Sequence, residues 1–252
     1  MKQKLFELVE WIRRFTREKF HSRNEDLPYY VTIVISAILF IVALNGFVEI
    51  TDELADNQLT GFDGSVSEYV ISFRNNTLTD FFIFVTHLGD RDAYVLITVC
   101  LAAYYFFKRR SGKFIVQTTL VLLLATFSNI VLKRFFNRER PELEHLVSVN
   151  TLSYPSGHSM SAMAFYGFLI YLCLRYRMRA WLKIFFVLLL STAIISIGMS
   201  RIYLGVHYPT DVAAGFIGGF IWIAFCAVVF NLFELLRKRP HSRRPGSNEL
   251  DL

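Results

Sequence analysis

Long apolar runs, separated by short polar stretches, occupy most of this sequence. The first run, residues 29–48, carries no charged side chain and has the ~20 residues that a helix needs to cross a bilayer. Five later runs are also predicted to span the membrane: residues 93–107, 114–132, 157–174, 181–199 and 210–233. The pattern therefore predicts an all-α polytopic membrane protein, built as a bundle of six transmembrane helices.

An acidic, polar segment separates the first run from the second. Residues 49–77 carry six carboxylates, with turn-forming glycines at Gly61 and Gly64. This composition predicts an external loop, with a short helix over residues 65–73.

Residues 78–88 are apolar but too short to cross a bilayer. The charged segment 89–92 separates them from the second run. Charges in the middle of a bilayer are costly, so we expect a short interfacial or re-entrant helix before the second span. The alternative is one continuous helix through residues 78–107.

The two ends of the chain are charged. Residues 1–28 place apolar side chains at three- and four-residue steps, which predicts a short amphipathic helix on the cytoplasmic surface of the membrane. Residues 235–252 are rich in Arg, Pro and Ser and predict a disordered tail. A single membrane domain is therefore expected over residues 29–234.

The distribution of positive charge gives the expected orientation. The net charge is +6, but the basic residues flank apolar runs and do not line one helix face, which favours a membrane over nucleic acid. Of the 27 lysines and arginines, 20 lie in the two ends and in the loops after the second and fourth spans. Because positive residues mark the cytoplasmic side, both termini are expected in the cytoplasm.

Three polar clusters stand at the ends of apolar runs. They are Lys133 with Arg140 and Pro141; Pro155, Ser156, Gly157 and His158; and Ser200 and Arg201 with His207 and Asp211. Six alternating spans place all three clusters at the same, non-cytoplasmic face of the membrane. The clusters are therefore expected to converge.

Together the clusters supply the groups that would hold a phosphate. Lys133, Arg140 and Arg201 can neutralise phosphate oxygens without a metal ion, the arginines through paired hydrogen bonds. Ser156 and Gly157 stand at the start of the fourth span, where backbone amides and the positive end of a helix favour an anion. No metal or cofactor is therefore expected.

These residues and spacings resemble those of the type 2 phosphatidic acid phosphatase (lipid phosphate phosphatase) superfamily. The resemblance implies that His207 is a nucleophile that forms a phosphohistidine. It also implies that His158 protonates the leaving alkoxide and later activates water. Asp211 follows His207 by one helical turn and can accept its ring proton, so that the other nitrogen points at phosphorus.

The implied function is hydrolysis of a lipid phosphate in the cell (inner) membrane, with the site on the non-cytoplasmic face. The family suggests phosphatidic acid, phosphatidylglycerol phosphate or undecaprenyl diphosphate as substrate. The expected partners are this lipid and the bilayer, with no nucleic acid. The choice between a monophosphate and a diphosphate, and the oligomeric state, are left open. Residues 49–77 and 142–154 are expected to set the specificity.

Two other functions fit parts of the pattern. A non-catalytic lipid-phosphate binding or transport protein would use the same cations, but simple binding does not require His158, His207 and Asp211. A vanadate-dependent peroxidase resembles the site chemically, but the density of spans and the lack of a soluble domain disfavour it.

Charged residues outside the clusters have simpler interpretations. Asp90, Arg91 and Asp92 favour a mutual ion pair over contact with substrate. The remaining histidines, His21, His87 and His145, are expected at the surface or the membrane interface.

Overall fold

The computed structural model describes residues 26–108, 111–149 and 151–238. Every regular element in these ranges is helical, as the apolar pattern predicts. The helices in chain order are α1 (Leu27–Ala55), α2 (Thr60–Ile71), α3 (Asn76–His87), α4 (Arg91–Phe107), α5 (Lys113–Phe136), α6 (Gly157–Arg175), α7 (Ala180–Tyr203) and α8 (Pro209–Lys238).

The described residues form two compact units. Residues 26–40 and 224–238 belong to the smaller unit, in which the ring centroids of Phe40 and Phe225 are 6.0 Å apart. Residues 41–223 form the larger unit, and all three polar clusters lie within it.

Five of the described helices are long and apolar enough to cross a membrane, namely α1, α5, α6, α7 and α8. They lie over five of the six predicted spans. The remaining predicted span coincides with α4, whose 17 residues fall below the ~20 that usually cross a bilayer. A crossing by α4, and with it the count of six spans and the side on which the termini lie, stays a prediction.

The chain breaks between α3 and α4, so the alternative of one continuous helix over residues 78–107 is wrong. Asn75 caps α3, because its side chain accepts a hydrogen bond from the amide of Leu78 at 3.0 Å. Asp90 precedes α4 with an extended backbone (φ −83°, ψ 157°), which separates the two helices. A short helix ahead of α4 is therefore confirmed, while its depth in the membrane stays a prediction.

Two helix boundaries in the predicted external loop differ from expectation. α1 continues to Ala55, well into the segment predicted as loop, and Asn57 follows it with a left-handed φ of 59°. The helix within the loop, α2, begins at Thr60 and not at residue 65. Glu, Leu and Ala are good helix formers in water, so the end of the apolar pattern marks the expected edge of the bilayer and not the end of the helix.

The predicted ends of the chain fall largely outside the described residues. The amphipathic helix over residues 1–28 is described only from residue 26, and the disordered tail only to residue 238. Residues 235–238 are helical and belong to α8, so the predicted start of the tail at 235 is wrong. Leu235 is buried, which explains why the helix extends beyond the last predicted apolar run.

The core of the larger unit lies where α6 packs against α3, α4 and α7. Phe165, Tyr94, Ile197 and Val85 are buried together there. The rings of Tyr94 and Phe165 lie 4.9 Å apart. At Met163–Gly167 the helix widens into a π-helical turn. These contacts fix the first turns of α6, where the second polar cluster stands.

A second apolar cluster surrounds the turn between α7 and α8. Tyr203, Leu204 and Val206 are buried and pack against Val70 of α2 and Phe82 of α3. This turn carries the third polar cluster, so α2 and α3 support it from the side.

Arg74, between α2 and α3, connects two loops. Its Nε donates to the carbonyl oxygen of Tyr203 at 3.1 Å, and its Nη2 donates to the carbonyl oxygen of Glu144 at 3.0 Å. The amide of Leu146 also donates to the carbonyl oxygen of Leu204 at 3.1 Å. The loop after α5 and the turn after α7 are thereby fixed to each other.

Replacing Gly205 with alanine is expected to destabilise the protein by about 1–3 kcal/mol. Gly205 has a φ of +77°, and an added Cβ would lie 2.7 Å from the carbonyl oxygen of Glu144. Thermal unfolding in detergent measures the effect. Gly64→Ala is the control, because a Cβ there meets nothing within 4 Å. Equal unfolding temperatures for the two variants would contradict this account.

Candidate active site

The first cluster lies at the end of α5 and in the loop that follows. Lys133 is in the last turn of α5, and Nζ donates to the carbonyl oxygens of Leu152 and Ser153. Asn137 ends the helix with a left-handed φ of 48° and turns the chain toward Arg140. The Lys133 ammonium is therefore held against the segment that leads into α6.

Arg140 reaches across to the turn between α7 and α8. Nε donates to the carbonyl oxygen of Thr151 at 2.6 Å, and Nη1 donates to that of Val206 at 2.5 Å. Nη1 also lies 3.3 Å from Nε2 of His207. The first and third clusters are thus in direct contact.

The second cluster begins α6. The Ser156 hydroxyl caps the helix, accepting hydrogen bonds from the amide of Ser159 at 3.4 Å and from its hydroxyl at 2.9 Å. The amide of Ser156 donates to the carbonyl oxygen of Asp211 at 2.9 Å. Asn129 of α5 donates to the carbonyl oxygen of Pro155 at 3.0 Å. Ser156 is fully buried and joins α6 to α8, so contact between its side chain and phosphate stays a prediction.

Arg201, near the end of α7, is buried with an unused donor. Its Nη1 donates to the Thr86 hydroxyl of α3 at 2.6 Å. Its Nε has no hydrogen-bond partner in the described part of the chain. A buried guanidinium N–H without a hydrogen-bond partner lowers the stability of the protein. An anionic ligand bound at this position would supply the missing acceptor.

His207 lies between a carboxylate and a guanidinium. Nδ1 is 3.5 Å from Oδ2 of Asp211 and 3.3 Å from Oγ of Ser153. The Ser153 hydroxyl donates to the same Oδ2, as does the amide of Tyr208 at 2.9 Å. The ring is thus held at Nδ1, partly through Ser153, and its Nε2 faces Arg140.

Burial and two neighbouring cations keep the His207 ring neutral. Burial, with the positive charges of Arg201 and Arg140, lowers the pKa of His207 to about 3, against the opposing effect of Asp211. The imidazole therefore retains a free lone pair at neutral pH, as a nucleophile requires.

Arg138 is a site residue that the sequence analysis did not select. Its Nη1 donates to Oδ1 of Asp211 at 2.6 Å, and its Nη2 donates to Oδ2 of Asp63 at 2.7 Å. Burial disfavours the charge on Arg138, but the two carboxylates outweigh it and raise the pKa of this guanidinium. Arg138 therefore fixes the carboxylate that lies beside His207.

Asp63 of α2 is the second residue that was missed, since it resembled one more acid in an external loop. It is buried and accepts hydrogen bonds from the Thr210 amide at 3.0 Å and the Thr210 hydroxyl at 2.6 Å. Thr210 is in the first turn of α8, where amides lack helical partners. Asp63 thus caps the helix that carries Asp211.

His158 pairs with a residue outside all three clusters. Its Nε2 lies 2.8 Å from Oδ1 of Asp90, whose Oδ2 is 2.7 Å from Nδ1 of His87. The ion pair expected among residues 90–92 forms only between Arg91 and Asp92, at 3.1 Å. The expectation was wrong for Asp90.

His145 shows no comparable pairing within the described part of the chain. His145 lies in the loop after α5, with Nε2 3.0 Å from the carbonyl oxygen of Pro141. His21 lies outside the described residues.

The structure brings the three clusters together at one end of α5, α6, α7 and α8. Arg140 and Arg201 are both close enough to act electrostatically on His158 as well as on His207. Long apolar helices, with the buried guanidinium of Arg201 and the buried imidazole of His207 near their ends, define a multi-pass membrane protein with a polar site.

Comparisons with known proteins give the family. A model of the PAP2 superfamily matches residues 114–234. Phosphatidylglycerophosphatase B of Bacillus subtilis is 31% identical over 162 residues, which cover 64% of this chain and 79% of that protein. An undecaprenyl-diphosphatase of Sulfolobus acidocaldarius is 23% identical over 202 residues, covering 79% of this chain and 90% of that one.

The fold agrees with these similarities. A crystal structure of a transmembrane PAP2 type phosphatidylglycerolphosphate phosphatase from Bacillus subtilis superposes with a TM-score of 0.69. It is 25% identical and covers 81% of this chain and 98% of that one. The chain belongs to the PAP2 superfamily, so the family that the sequence resembles is confirmed.

Proposed function

We propose that this protein is a metal-independent phosphatase that removes phosphate from a membrane lipid through a phosphohistidine on His207. The observation that carries the proposal is the position of that ring. It is buried and neutral, held at Nδ1 beside Asp211 and Ser153, while Nε2 faces the cation of Arg140.

The phosphate is held by Lys133, Arg140 and Arg201. Nε of Arg201 is buried and unpaired within the described residues, and Lys133 and Arg140 now bind carbonyl oxygens that an anion would replace. In the transition state, negative charge develops on the equatorial oxygens of the phosphate. Hydrogen bonds from fixed cations to these oxygens are strong, so they lower the barrier. The geometry therefore supports charge neutralisation by side chains alone, with Gly157 allowing close approach of the backbone.

The reaction proceeds in two displacement steps. Nε2 of His207 attacks phosphorus and forms a P–N bond, the P–O bond to the lipid breaks, and His158 gives a proton to the leaving oxygen, which is an alkoxide for a monophosphate and a phosphate oxygen for a diphosphate. In the second step His158 takes a proton from water, whose oxygen attacks phosphorus. The P–N bond then breaks, inorganic phosphate leaves, and both rings regain their first state.

Asp211 and Ser153 keep the proton of His207 on Nδ1 throughout. An imidazole that donates from one nitrogen presents the lone pair of the other, so this contact selects the reactive tautomer. Arg138 holds Asp211 in place from the opposite side.

The proposed substrates are phosphatidic acid, phosphatidylglycerol phosphate and undecaprenyl diphosphate. Two relatives are named for the last two of these activities. The bias of Lys and Arg toward the opposite ends of the spans supports a site on the non-cytoplasmic face of the cell (inner) membrane. At the depth of the lipid headgroups, a lipid can enter the site sideways between two helices while its phosphate stays in water.

Phosphate release by the purified protein tests the function. Each of the three lipids is presented in mixed micelles, with and without EDTA. We expect release from at least one lipid, unchanged by EDTA. No release from any of them, with binding retained, would instead identify a lipid-phosphate binding protein. Loss of activity in EDTA would contradict metal independence.

Replacing His158 with alanine is expected to affect alkyl phosphates much more than aryl phosphates. Poor leaving groups need a proton in the transition state, so kcat/KM for the lipid should fall by about 10²–10⁴-fold, and that for p-nitrophenyl phosphate far less. The ratio of the two values within one preparation corrects for differences in folding. Equal losses would contradict the role of His158 as general acid.

A further inference from the structure

Asp90 bridges two imidazoles at the junction of α3 and α4. Oδ1 lies 2.8 Å from Nε2 of His158, and Oδ2 lies 2.7 Å from Nδ1 of His87. The side chains differ in exposure: that of His158 is 27% exposed, that of Asp90 42% and that of His87 66%. The chain of contacts therefore runs from the enclosed site outward.

The carboxylate of Asp90 is ionised. The hydrogen bond to His158, opposed by partial burial and reinforced by His87, lowers the pKa of Asp90 to about 2. An ionised carboxylate only accepts hydrogen bonds, so both imidazoles must present an N–H to it. This determines which nitrogen of His158 carries a proton toward Asp90, namely Nε2.

The second ring nitrogen of His158 remains available. Within the described residues, His158 forms its side-chain hydrogen bond through Nε2, and Nδ1 has no protein partner. When both nitrogens are protonated, Nε2–H donates to Asp90 and Nδ1–H can donate to the oxygen of a leaving group. Asp90 thus holds the ring by one nitrogen and leaves the other for the reaction.

The backbone beside Asp90 is shaped to the His158 ring. A Cβ on Gly89 would lie 2.9 Å from Cδ2 of His158 and 2.9 Å from Cγ2 of Ile197. Only a residue without a side chain allows the ring to lie this close to the α3–α4 junction. Both the position and the tilt of the ring are therefore set by residues 89 and 90.

The charges around His158 also require a counter-ion. Burial of the ring disfavours a protonated imidazole most strongly, and the charges of Arg201 and Arg140 add to this, while the hydrogen bond and the charge of Asp90 favour it. A general acid must carry its proton when the substrate binds, and two neighbouring guanidinium groups oppose that state. Among the described residues, Asp90 is the carboxylate in hydrogen-bond contact with this ring.

We propose that Asp90 is the positioning residue of the general acid, which orients His158 and stabilises its protonated form, with His87 holding Asp90 from the other side. This inference rests on the proposed phosphatase function. It gives each of the two histidines in the reaction its own carboxylate, Asp211 for His207 and Asp90 for His158.

The test compares Asp90→Asn with Asp92→Asn in the full-length protein. Both variants remove one negative charge near the start of α4, but Asp92 is 85% exposed and, among the residues that the structure describes, pairs with its neighbour Arg91 at 3.1 Å. The measurement is kcat/KM for a lipid phosphate and for p-nitrophenyl phosphate, because kcat/KM reports the step in which the leaving group departs. Thermal unfolding in detergent accompanies each variant.

Asp90→Asn is expected to lower kcat/KM for the lipid by about 10–100-fold and that for the aryl phosphate by less than about threefold. Asp92→Asn should leave both within about twofold of the wild type. In a His158→Ala background, adding Asp90→Asn should cause little further loss, because the ring through which it acts is absent. His87→Gln should show the same leaving-group dependence as Asp90→Asn, with a smaller loss.

Three results would overturn the proposal. They are full activity of Asp90→Asn on the lipid, equal losses on both substrates, and a further loss of tenfold or more in the His158→Ala background. If Asp90→Asn does not fold, Asp90→Glu takes its place, and the same ratio of substrates decides. A wild-type protein that hydrolyses neither substrate would contradict the phosphatase function itself, which separates that failure from failure of the role of Asp90.

Discussion

Replacing His207 with glutamine is expected to reduce phosphate release by about 10⁴-fold or more. Glutamine has a similar size but no nucleophilic nitrogen, so the proposed P–N bond cannot form. The residual rate would come from the fixed cations, which still bind phosphate. The measurement is lipid phosphate hydrolysis by purified protein, together with an alkaline denaturing quench after addition of ³²P-labelled substrate, because a phosphohistidine survives alkali and is lost in acid.

The matched control is His145→Gln. His145 is also an imidazole in the outer loops, but its ring bonds the carbonyl oxygen of Pro141 and not a catalytic group. It should keep both turnover and the acid-labile label. If His207→Gln retained activity within tenfold of the wild type, or still became labelled on histidine, the nucleophile would have to be another residue.

Replacing Arg138 with leucine is expected to destabilise the larger unit by about 3–5 kcal/mol, because it leaves two buried carboxylates without their shared cation. Asp63 is 1% and Asp211 0% exposed at the side chain, and Arg138 contacts each within 2.7 Å. Activity should fall as well, since Asp211 loses the contact that holds it beside His207. Thermal unfolding in detergent and lipid phosphate hydrolysis measure the two effects.

Arg134→Leu is the control for Arg138→Leu. It removes the same charge four residues earlier, from an exposed side chain in the last turn of α5. Adding Asp63→Asn to Arg138→Leu should recover part of the lost stability, because one of the two unpaired charges disappears. An unfolding temperature for Arg138→Leu equal to that of Arg134→Leu would show that the buried network contributes little.

Most of the architecture follows from local sequence. A run of about 20 apolar residues is enough to predict a membrane span. Five spans predicted in this way agree with helices α1, α5, α6, α7 and α8. The motif residues Arg140, Arg201 and His207 were selected because three polar clusters at one face of the membrane, taken together, have few structural explanations. The structure brings these three residues close to one another, and their roles stay predictions.

The supporting residues could not be found in the same way. Asp63 and Arg138 are 75 positions apart, and Asp90 and His158 are 68 apart. Neither acid lies in an apolar run, and each resembles an ordinary charge of an external loop. Only the packing of α2, and of the α3–α4 junction, against the ends of the spans shows that these carboxylates are partners of the site. Nothing periodic in the sequence carries that information.

The cap that Asp63 places on α8 bears on how such enzymes can be recombined. Asp63 and Asp90 both precede residue 114, where the match to the family model begins, yet one anchors the helix of Asp211 and the other holds His158. A chimaera could join the matched segment of this chain to the N-terminal part of a relative. It would then lack the carboxylates that contact Thr210 and His158 here, unless the relative has them at the same positions. Exchanging residues 60–92 together with that segment should preserve them.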